Sequence, residues 1–156
     1  MSPRRILFVC TGNICRSPMA AAIARAELDR AGAGAIEVES AGTMAMVGWG
    51  ATREAARVAE EHGTSLAGHR PRQLTRELVA GADLVVGMEP AHVAAAERLG
   101  AARAITLAER PVADPYGCSL DVYRETWALL AERIPALLER IADDGGIDGR
   151  SADRVG

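Results

Sequence analysis

The chain has 156 residues and a formal net charge of −3 at pH 7, and all 18 of its lysine-or-arginine positions are arginine. The absence of lysine excludes Schiff-base catalysis and the phosphate-binding lysine of Walker-type nucleotide sites, so any bound phosphate must be held by arginine or by backbone N–H groups. The slight acidity and the five aromatic residues argue against a nucleic acid partner.

The cysteine content and the apolar segments indicate where the protein works. Three cysteines, an odd number, do not suit the paired framework of a secreted domain. The first residues lack the apolar run of a signal peptide, and no apolar stretch approaches the roughly 18 residues of a membrane span. We therefore expect a cytoplasmic monomer without a membrane partner. One domain over residues 1–142 and a polar, glycine-rich flexible tail over residues 143–156 are predicted.

The first half of the chain alternates between strand and helix patterns. Residues 6–9 are all apolar, which is typical of a strand buried on both faces. Ser17 and Pro18 predict the start of a helix, with serine as the N-cap and proline at the first helical position, and Gly32 ends it. A second strand then begins at Ile36 and reaches a loop over residues 40–43.

The alternation continues to the end of the domain. The remaining predicted elements are a helix over residues 51–62, a strand over 83–88, a helix over 90–99, a weaker strand over 104–107 and a helix over 121–142. Pro135 lies inside the last helix and should bend or break it. The pattern predicts a single-domain α/β fold, a four-stranded parallel sheet with helices on both faces. Ligands of such folds bind beyond the carboxyl ends of the strands.

The loop after the first strand, CTGNICRS over residues 10–17, predicts an anion site. Its backbone N–H groups and the dipole of the following helix favour negative charge at the same spot, and Gly12 and Asn13 tolerate left-handed backbone. Arg16 offers a planar fork that matches two phosphate oxygens. The same field favours the thiolate form of Cys10, which is a nucleophile when it lies beneath a bound tetrahedral anion.

The residues CTGNICRSPMA resemble the active-site loop of the low-molecular-weight protein tyrosine phosphatases, whose signature is C-x-G-N-x-C-R-S-P. The resemblance extends over about residues 5–142 and implies a Rossmann-like or flavodoxin-like fold. It implies hydrolysis of phosphotyrosine in protein substrates through a phosphocysteine on Cys10, with Arg16 binding the phosphate and with neither cofactor nor metal. The other loop residues expected to bind substrate are Thr11, Gly12, Asn13, Ile14, Cys15 and Ser17.

Asp114, in the segment ADPYG, resembles the general acid of that family. Considered alone, Asp-Pro-Tyr-Gly is more typical of a type I turn. With the resemblance, Asp114 is predicted to protonate the departing oxygen and then to activate water. Ser17 is either a simple N-cap or, in addition, a stabiliser of the Cys10 thiolate.

The resemblance also implies two supporting features. His69 is expected to form a structural network with Asn13, Ser17 and Ser40. Cys15 is a small filler by residue type, and the resemblance adds a reversible disulfide with Cys10 that guards the nucleophile from overoxidation. No role in the site is assigned to Glu89 or Cys118, and both His62 and His92 are predicted to lie at the surface.

The depth of such a loop favours a long, flat phosphotyrosine over phosphoserine. The walls are expected from Tyr116 and from residues 44–49, where Trp49 is the predicted aromatic and Met46 is the alternative.

Three other functions remain open. A protein arginine phosphatase of the same family is similar in both loops, but that branch carries threonine where this chain has Ile14. An arsenate reductase would need further cysteines after the third strand, and only Cys118 remains elsewhere. A catalytically silent phosphate-binding module would need neither the thiol of Cys10 nor the carboxyl of Asp114.

Overall fold

The sheet is built around the apolar strand at the start of the chain. The computed structural model describes residues 3–143. Four parallel strands stand in the order β2-β1-β3-β4. They are β1 (Arg5–Cys10), β2 (Glu37–Gly42), β3 (Leu84–Gly87) and β4 (Ala104–Thr106). The predicted four-stranded parallel sheet is confirmed.

Within residues 3–143, five helices cover the two faces of the sheet. They are α1 (Arg16–Arg30), α2 (Arg53–Glu61), α3 (Arg76–Gly81), α4 (Pro90–Arg98) and α5 (Leu120–Asp143). Ile6 and Phe8 of β1 pack in one apolar cluster with residues of α1, α2 and α5. Leu7 and Val9 point the other way, into a second cluster with residues of α3 and α4. An all-apolar strand is required here because alternate side chains of β1 enter two different cores.

One predicted helix start is wrong, and one helix was not predicted. Helix α1 begins at Arg16, two residues before the expected Pro18, and its N-cap is Cys15, so Ser17 is not the cap. The short helix α3 was not predicted; Thr75 caps it by accepting a hydrogen bond from the backbone N–H of Leu78. At six residues α3 is too short for a clear apolar period.

Pro135 was expected to bend or break the closing helix α5. The helix runs unbroken through it, so the second of these alternatives is wrong. A proline inside a helix costs about 3 kcal/mol, chiefly through one lost hydrogen bond and a clash with the preceding turn. Each fully buried apolar side chain contributes about 1.5–3 kcal/mol. The buried apolar residues on both sides of Pro135 therefore outweigh it; they are Leu130, Ile134, Leu137, Leu138 and Ile141.

The carboxyl edge of the sheet gathers the segments that carry chemistry. Cys10 ends β1 directly opposite Gly42 at the end of β2, and Glu89 follows the end of β3. Among the described residues, no helix is both long enough and apolar enough to cross a membrane. The predicted flexible tail lies almost wholly outside the described residues, which end at residue 143.

Candidate active site

The loop between β1 and α1 turns its carbonyl groups outward. Backbone N–H groups of the segment after β2 donate to these carbonyls: Thr43 to Cys10, Met44 to Thr11, Met46 to Gly12 and Thr52 to Ile14, at 2.9–3.0 Å. In a trans peptide the N–H points opposite to the carbonyl. The N–H groups of Thr11, Gly12, Asn13 and Cys15 consequently point away from that segment, into the loop. The predicted ring of inward N–H donors is therefore present.

Asn13 holds the loop in shape. Its φ of 58° is left-handed, the single such value at a non-glycine residue in the described part of the chain. The Nδ2 of Asn13 donates to the Oγ of Ser17 at 2.7 Å and to the Oγ of Ser40 at 3.0 Å. The Nε2 of His69 donates to the Asn13 carbonyl oxygen at 2.6 Å, and the N–H of Arg72 donates to Asn13 Oδ1 at 2.9 Å. The structure thus brings together the four residues of the predicted network.

The sulfur of Cys10 lies at the floor of the loop. The residue is 2% exposed, and its Sγ is 2.9 Å from the Oγ of Ser17 and 3.3 Å from the backbone nitrogen of Asn13. Both neighbours have a hydrogen to offer, and hydrogen bonds of this kind stabilise a thiolate over a thiol. The hydroxyl of Ser17 therefore serves the cysteine and Asn13 rather than the helix end.

Arg16 is buried, lines the same cavity as Cys10 and is held by residues distant in sequence. Its Nη1 donates to the carboxylate of Glu89 at 2.7 Å and to the carbonyl of Val112 at 2.8 Å. Its Nε is the one buried side-chain nitrogen or oxygen in the described chain that has no partner. A buried donor without a partner costs about 1–3 kcal/mol. An oxyanion in the cavity would remove that cost.

Glu89, which received no role from the sequence, is the anchor of Arg16. The hydrogen bond and charge of Arg16 hold the pKa of this carboxyl below its usual range. The available signal was its position, since Glu89 lies two residues after the end of β3, at the carboxyl edge where ligands of such folds bind. The pairing itself joins residues 73 positions apart and has no local pattern.

Asp114 lies at the mouth of the cavity, with its side chain half exposed. Its Oδ1 accepts a hydrogen bond from the N–H of Tyr116 at 3.1 Å, while its Oδ2 is 3.7 Å from the Nη2 of Arg16. The first contact is a side-chain turn of Asp114. The backbone turn lies one residue later than predicted, with the N–H of Cys118 donating to the carbonyl of Pro115 at 2.9 Å and Gly117 at a φ of 81°, so it is not type I. Both leave the Oδ2 of Asp114 near Arg16. The two interpretations of this segment, turn and acid loop, are therefore compatible.

The cavity above the sulfur measures about 240 Å³ and is mostly apolar at its sides. Its floor is made of residues 10–12 and 14–16, and its walls of Met44, Met46, Asp114 and Tyr116. Trp49 is not among the lining residues and is 51% exposed. Its backbone N–H donates to the carbonyl of Met46. Met46, the alternative, occupies the wall.

Comparison with known proteins agrees with this geometry. The family model described as low molecular weight phosphotyrosine protein phosphatase matches residues 5–146. The chain belongs to this family. The family membership that the sequence resemblance implied is thus confirmed, and the loop with Cys10 and Arg16 lies within the matched residues.

Relatives of this phosphatase carry two kinds of name. It is 37% identical over 132 residues to the low molecular weight protein-tyrosine-phosphatase Etp of Escherichia coli (strain K12), covering 80% of this chain and 86% of Etp. It is 37% identical over 150 residues to a protein-arginine-phosphatase of Geobacillus stearothermophilus, covering 90% and 95%. Its fold matches a mutant of the YwlE arginine phosphatase with a phosphorylated active site serine, with a TM-score of 0.84, 34% identity and coverage of 94% and 99%.

The second cysteine of this phosphatase, Cys15, is buried against α5. The hydroxyl oxygen of Tyr123 is 3.1 Å from its Sγ, and the Oγ1 of Thr52 is 3.7 Å from it. Burial raises the pKa of the Cys15 thiol, and also that of the Tyr123 hydroxyl. Tyr123 was missed because the start of α5 has no pattern that points to a cysteine 108 positions earlier. Cys118 is exposed.

Of the two histidines predicted to lie at the surface, only one does. His62 is exposed, as predicted, and its ring stacks on that of Trp127. His92 is 2% exposed, so its predicted surface position is wrong. Its ring lies under the loop, where the Nε2 is 3.0 Å from the Oγ1 of Thr11. No group of three or more potential metal-ligating His, Cys, Asp or Glu residues occurs in the part of the chain that the structure describes.

Proposed function

We propose that this phosphatase hydrolyses phosphotyrosine in protein substrates through a phosphocysteine on Cys10. In the first step the thiolate of Cys10 attacks phosphorus, the phosphorus–oxygen bond to the tyrosine breaks, and Asp114 gives a proton to the departing oxygen. In the second step Asp114, now a carboxylate, takes a proton from a water that attacks phosphorus. Inorganic phosphate leaves and the Cys10 thiolate is restored.

The observation that carries the proposal is the Cys10 sulfur, which accepts from the N–H of Asn13, in the same cavity as Arg16 with its partnerless Nε. A phosphoryl group bound by this ring would receive donors on its three equatorial oxygens as charge develops there. The backbone of Thr11, Gly12, Asn13, Ile14 and Cys15 and the guanidinium of Arg16 are the proposed phosphate ligands. The phosphorylated active site serine in the YwlE mutant supports a covalent phosphoryl intermediate in this family.

The walls support phosphotyrosine as the substrate. Met46, Ile14 and Tyr116 present apolar surface above the sulfur, which suits the flat ring of a phosphotyrosine. Trp49, exposed on the segment that carries Met46, is proposed to contact the substrate chain outside the cavity. The three free cysteines suit a reducing compartment, so we place the enzyme in the cytoplasm, acting as a monomer without cofactor.

The experiment compares phosphotyrosine and phosphoarginine peptides of the same sequence, in the presence of excess chelator. We expect hydrolysis of phosphotyrosine and a trapped phosphocysteine after rapid acid quench. Cys10→Ser should abolish turnover. Ile14→Thr, matched to Ile14→Val as a control for volume, should shift activity toward phosphoarginine. Faster hydrolysis of phosphoarginine by the unmodified enzyme would instead assign the chain to the arginine branch.

The pair of buried cysteines supports a redox role for the same site. We propose that peroxide oxidises Cys10 and Cys15 to a disulfide, with two thiol hydrogens and one peroxide giving two waters. In a Cys118→Ser background, mild peroxide should remove both remaining thiols together with activity, and dithiothreitol should restore both. Loss of activity that dithiothreitol cannot reverse would contradict protection by Cys15.

A further inference from the structure

We infer that the hydroxyl of Thr11 donates a hydrogen bond to the bound phosphoryl group, and that His92 is the positioning residue that turns this hydroxyl toward it. The inference deepens the proposed function, on which it rests, by adding a side-chain donor to the backbone ring. It concerns two residues whose side chains the proposed mechanism leaves unused.

The ring of His92 is held in a single tautomer. The backbone N–H of Glu89 points at its Nδ1 at 3.1 Å, so Nδ1 must be an acceptor without a hydrogen. The hydrogen of the neutral ring therefore lies on Nε2. Burial of the ring, with Arg16 close by, lowers the pKa of His92, which keeps the ring neutral; the carboxylates of Glu89 and Asp114 oppose this effect only in part.

The tautomer of His92 decides the direction of the Thr11 hydroxyl. The Nε2–H of His92 donates to the Oγ1 of Thr11 at 3.0 Å, and the Nη2 of Arg16 adds a second, longer contact at 3.5 Å. The two contacts occupy the lone pairs of Oγ1, so the hydroxyl can act only as a donor toward any further group. No acceptor for that hydrogen is present among the described residues.

Thr11 itself lines the 240 Å³ cavity above Cys10. A phosphoryl oxygen bound there is an ionised acceptor, for which a hydroxyl donor is well suited. Glu89 then orients two of the phosphate donors at once: its carboxylate holds Arg16, and its backbone N–H fixes the ring that turns Thr11. A hydrogen bond to an ionised group corresponds to about a 10- to 100-fold change in affinity.

The first test measures the dissociation constant of inorganic phosphate by isothermal titration calorimetry, which does not depend on turnover. Thr11→Val, which keeps the shape and removes the hydroxyl, should weaken phosphate binding about 10-fold or more. Thr11→Ser, the matched control, should bind within about threefold of the unmodified enzyme. If valine destabilises the fold, Thr11→Ala replaces it. Unchanged phosphate affinity in the variant without a hydroxyl would overturn the inference.

The second test asks whether His92 acts through Thr11. His92→Asn keeps an acceptor near the position of Nδ1 and lacks the donor at Nε2, so it should weaken phosphate binding in the unmodified background and add less than twofold in the Thr11→Val background. Fully additive losses would overturn the positioning role. Ring ¹⁵N chemical shifts should identify the Nε2–H tautomer and should move when phosphate is added. The opposite tautomer would also overturn it.

These outcomes are distinct from failure of the proposed function. If the enzyme binds phosphate through Thr11 but hydrolyses neither p-nitrophenyl phosphate nor a phosphotyrosine peptide, the proposed function is wrong and the role of Thr11 as a donor stands. If hydrolysis is normal and the hydroxyl of Thr11 contributes nothing to phosphate binding, the inference about Thr11 is wrong and the proposed function stands.

Discussion

The Oγ of Ser17 lies 2.9 Å from the Sγ of Cys10 and, on its other side, 2.7 Å from the Nδ2 of Asn13. An amide nitrogen can only donate, so Ser17 accepts from Asn13 and is free to donate its own hydrogen to the sulfur. The direction of this hydrogen bond stabilises the thiolate both before attack and when it departs from phosphorus.

Ser17→Ala should therefore lower kcat for p-nitrophenyl phosphate about 10- to 100-fold, the range expected for a hydrogen bond to an ionised group. Ser40→Ala is the matched control, because the Oγ of Ser40 accepts from the same Nδ2 at 3.0 Å and the structure gives it no contact with the sulfur. We expect a loss at least fivefold smaller for Ser40→Ala. Equal losses would mean that Ser17 acts only by supporting Asn13.

Asp114→Asn should slow poor leaving groups far more than good ones. Loss of a general acid costs about 10²- to 10⁴-fold where the departing oxygen needs a proton. We expect this loss in kcat for phenyl phosphate and a much smaller one for p-nitrophenyl phosphate, measured under the same conditions. Asp121→Asn changes an 83% exposed carboxylate and should leave both rates within twofold. Equal loss on both substrates in Asp114→Asn would reduce Asp114 to a turn residue.

Gly42→Ala should disrupt the loop between β1 and α1. A Cβ at Gly42 would overlap the backbone oxygen of Thr11 and lie 3.1 Å from the Asn13 nitrogen, and neither backbone atom can move aside like the end of a flexible side chain. Overpacking of this kind costs about 1–3 kcal/mol in the free energy of unfolding. Urea denaturation should show it. Gly50→Ala, which meets open space, should change that free energy by less than about 0.5 kcal/mol.

Two histidines should make the fold sensitive to mild acid. Burial lowers the pKa of both His69 and His92 below the ordinary value of 6.5. Below pH 6.5 the unfolded chain then binds more protons than the folded one. The free energy of unfolding therefore decreases as the pH decreases, by at most about 1.4 kcal/mol per pH unit for each histidine. The stability that mild acid removes is fully present above pH 6.5.

Denaturation at several pH values between about 5 and 7.5 tests this dependence, since carboxylates titrate mainly at lower pH. His69→Gln and His92→Asn should each flatten the dependence, and His62→Gln, a change at an exposed histidine, should leave it unaltered. The same slope in all four proteins would assign the dependence to other groups.

The parts of the site that could be predicted are those written in one contiguous segment. Cys10, Arg16 and the left-handed Asn13 follow from strand, loop and helix in that order, and the carboxyl edge of the sheet places them. Residues that act across the chain could not be found in this way. Glu89 holds Arg16 and His92 holds Thr11 over separations of 73 and 81 positions, and neither has a local pattern.

Two local rules also gave way to tertiary contacts. Serine before proline is a common helix start, yet the hydroxyl of Ser17 bonds to Cys10 and Asn13 and the helix begins two residues earlier than predicted. In the segment after β2, the aromatic side chain that the family resemblance implies pointed to Trp49 for the wall. The hydrogen bond from Met46 N–H to the Gly12 carbonyl instead brings Met46 to the cavity.

The outward carbonyls of the loop affect amide hydrogen exchange and the loss of activity on heating. Because four of them accept hydrogen bonds from the segment after β2, and Asn13 is bonded to Ser40 and His69, the loop cannot open without breaking these hydrogen bonds. The amides of Thr43, Met44, Met46 and Thr52, which donate to the loop carbonyls, should then exchange with deuterium about as slowly as those of β1. Activity should consequently disappear on heating in the same cooperative transition as the sheet, and not before it.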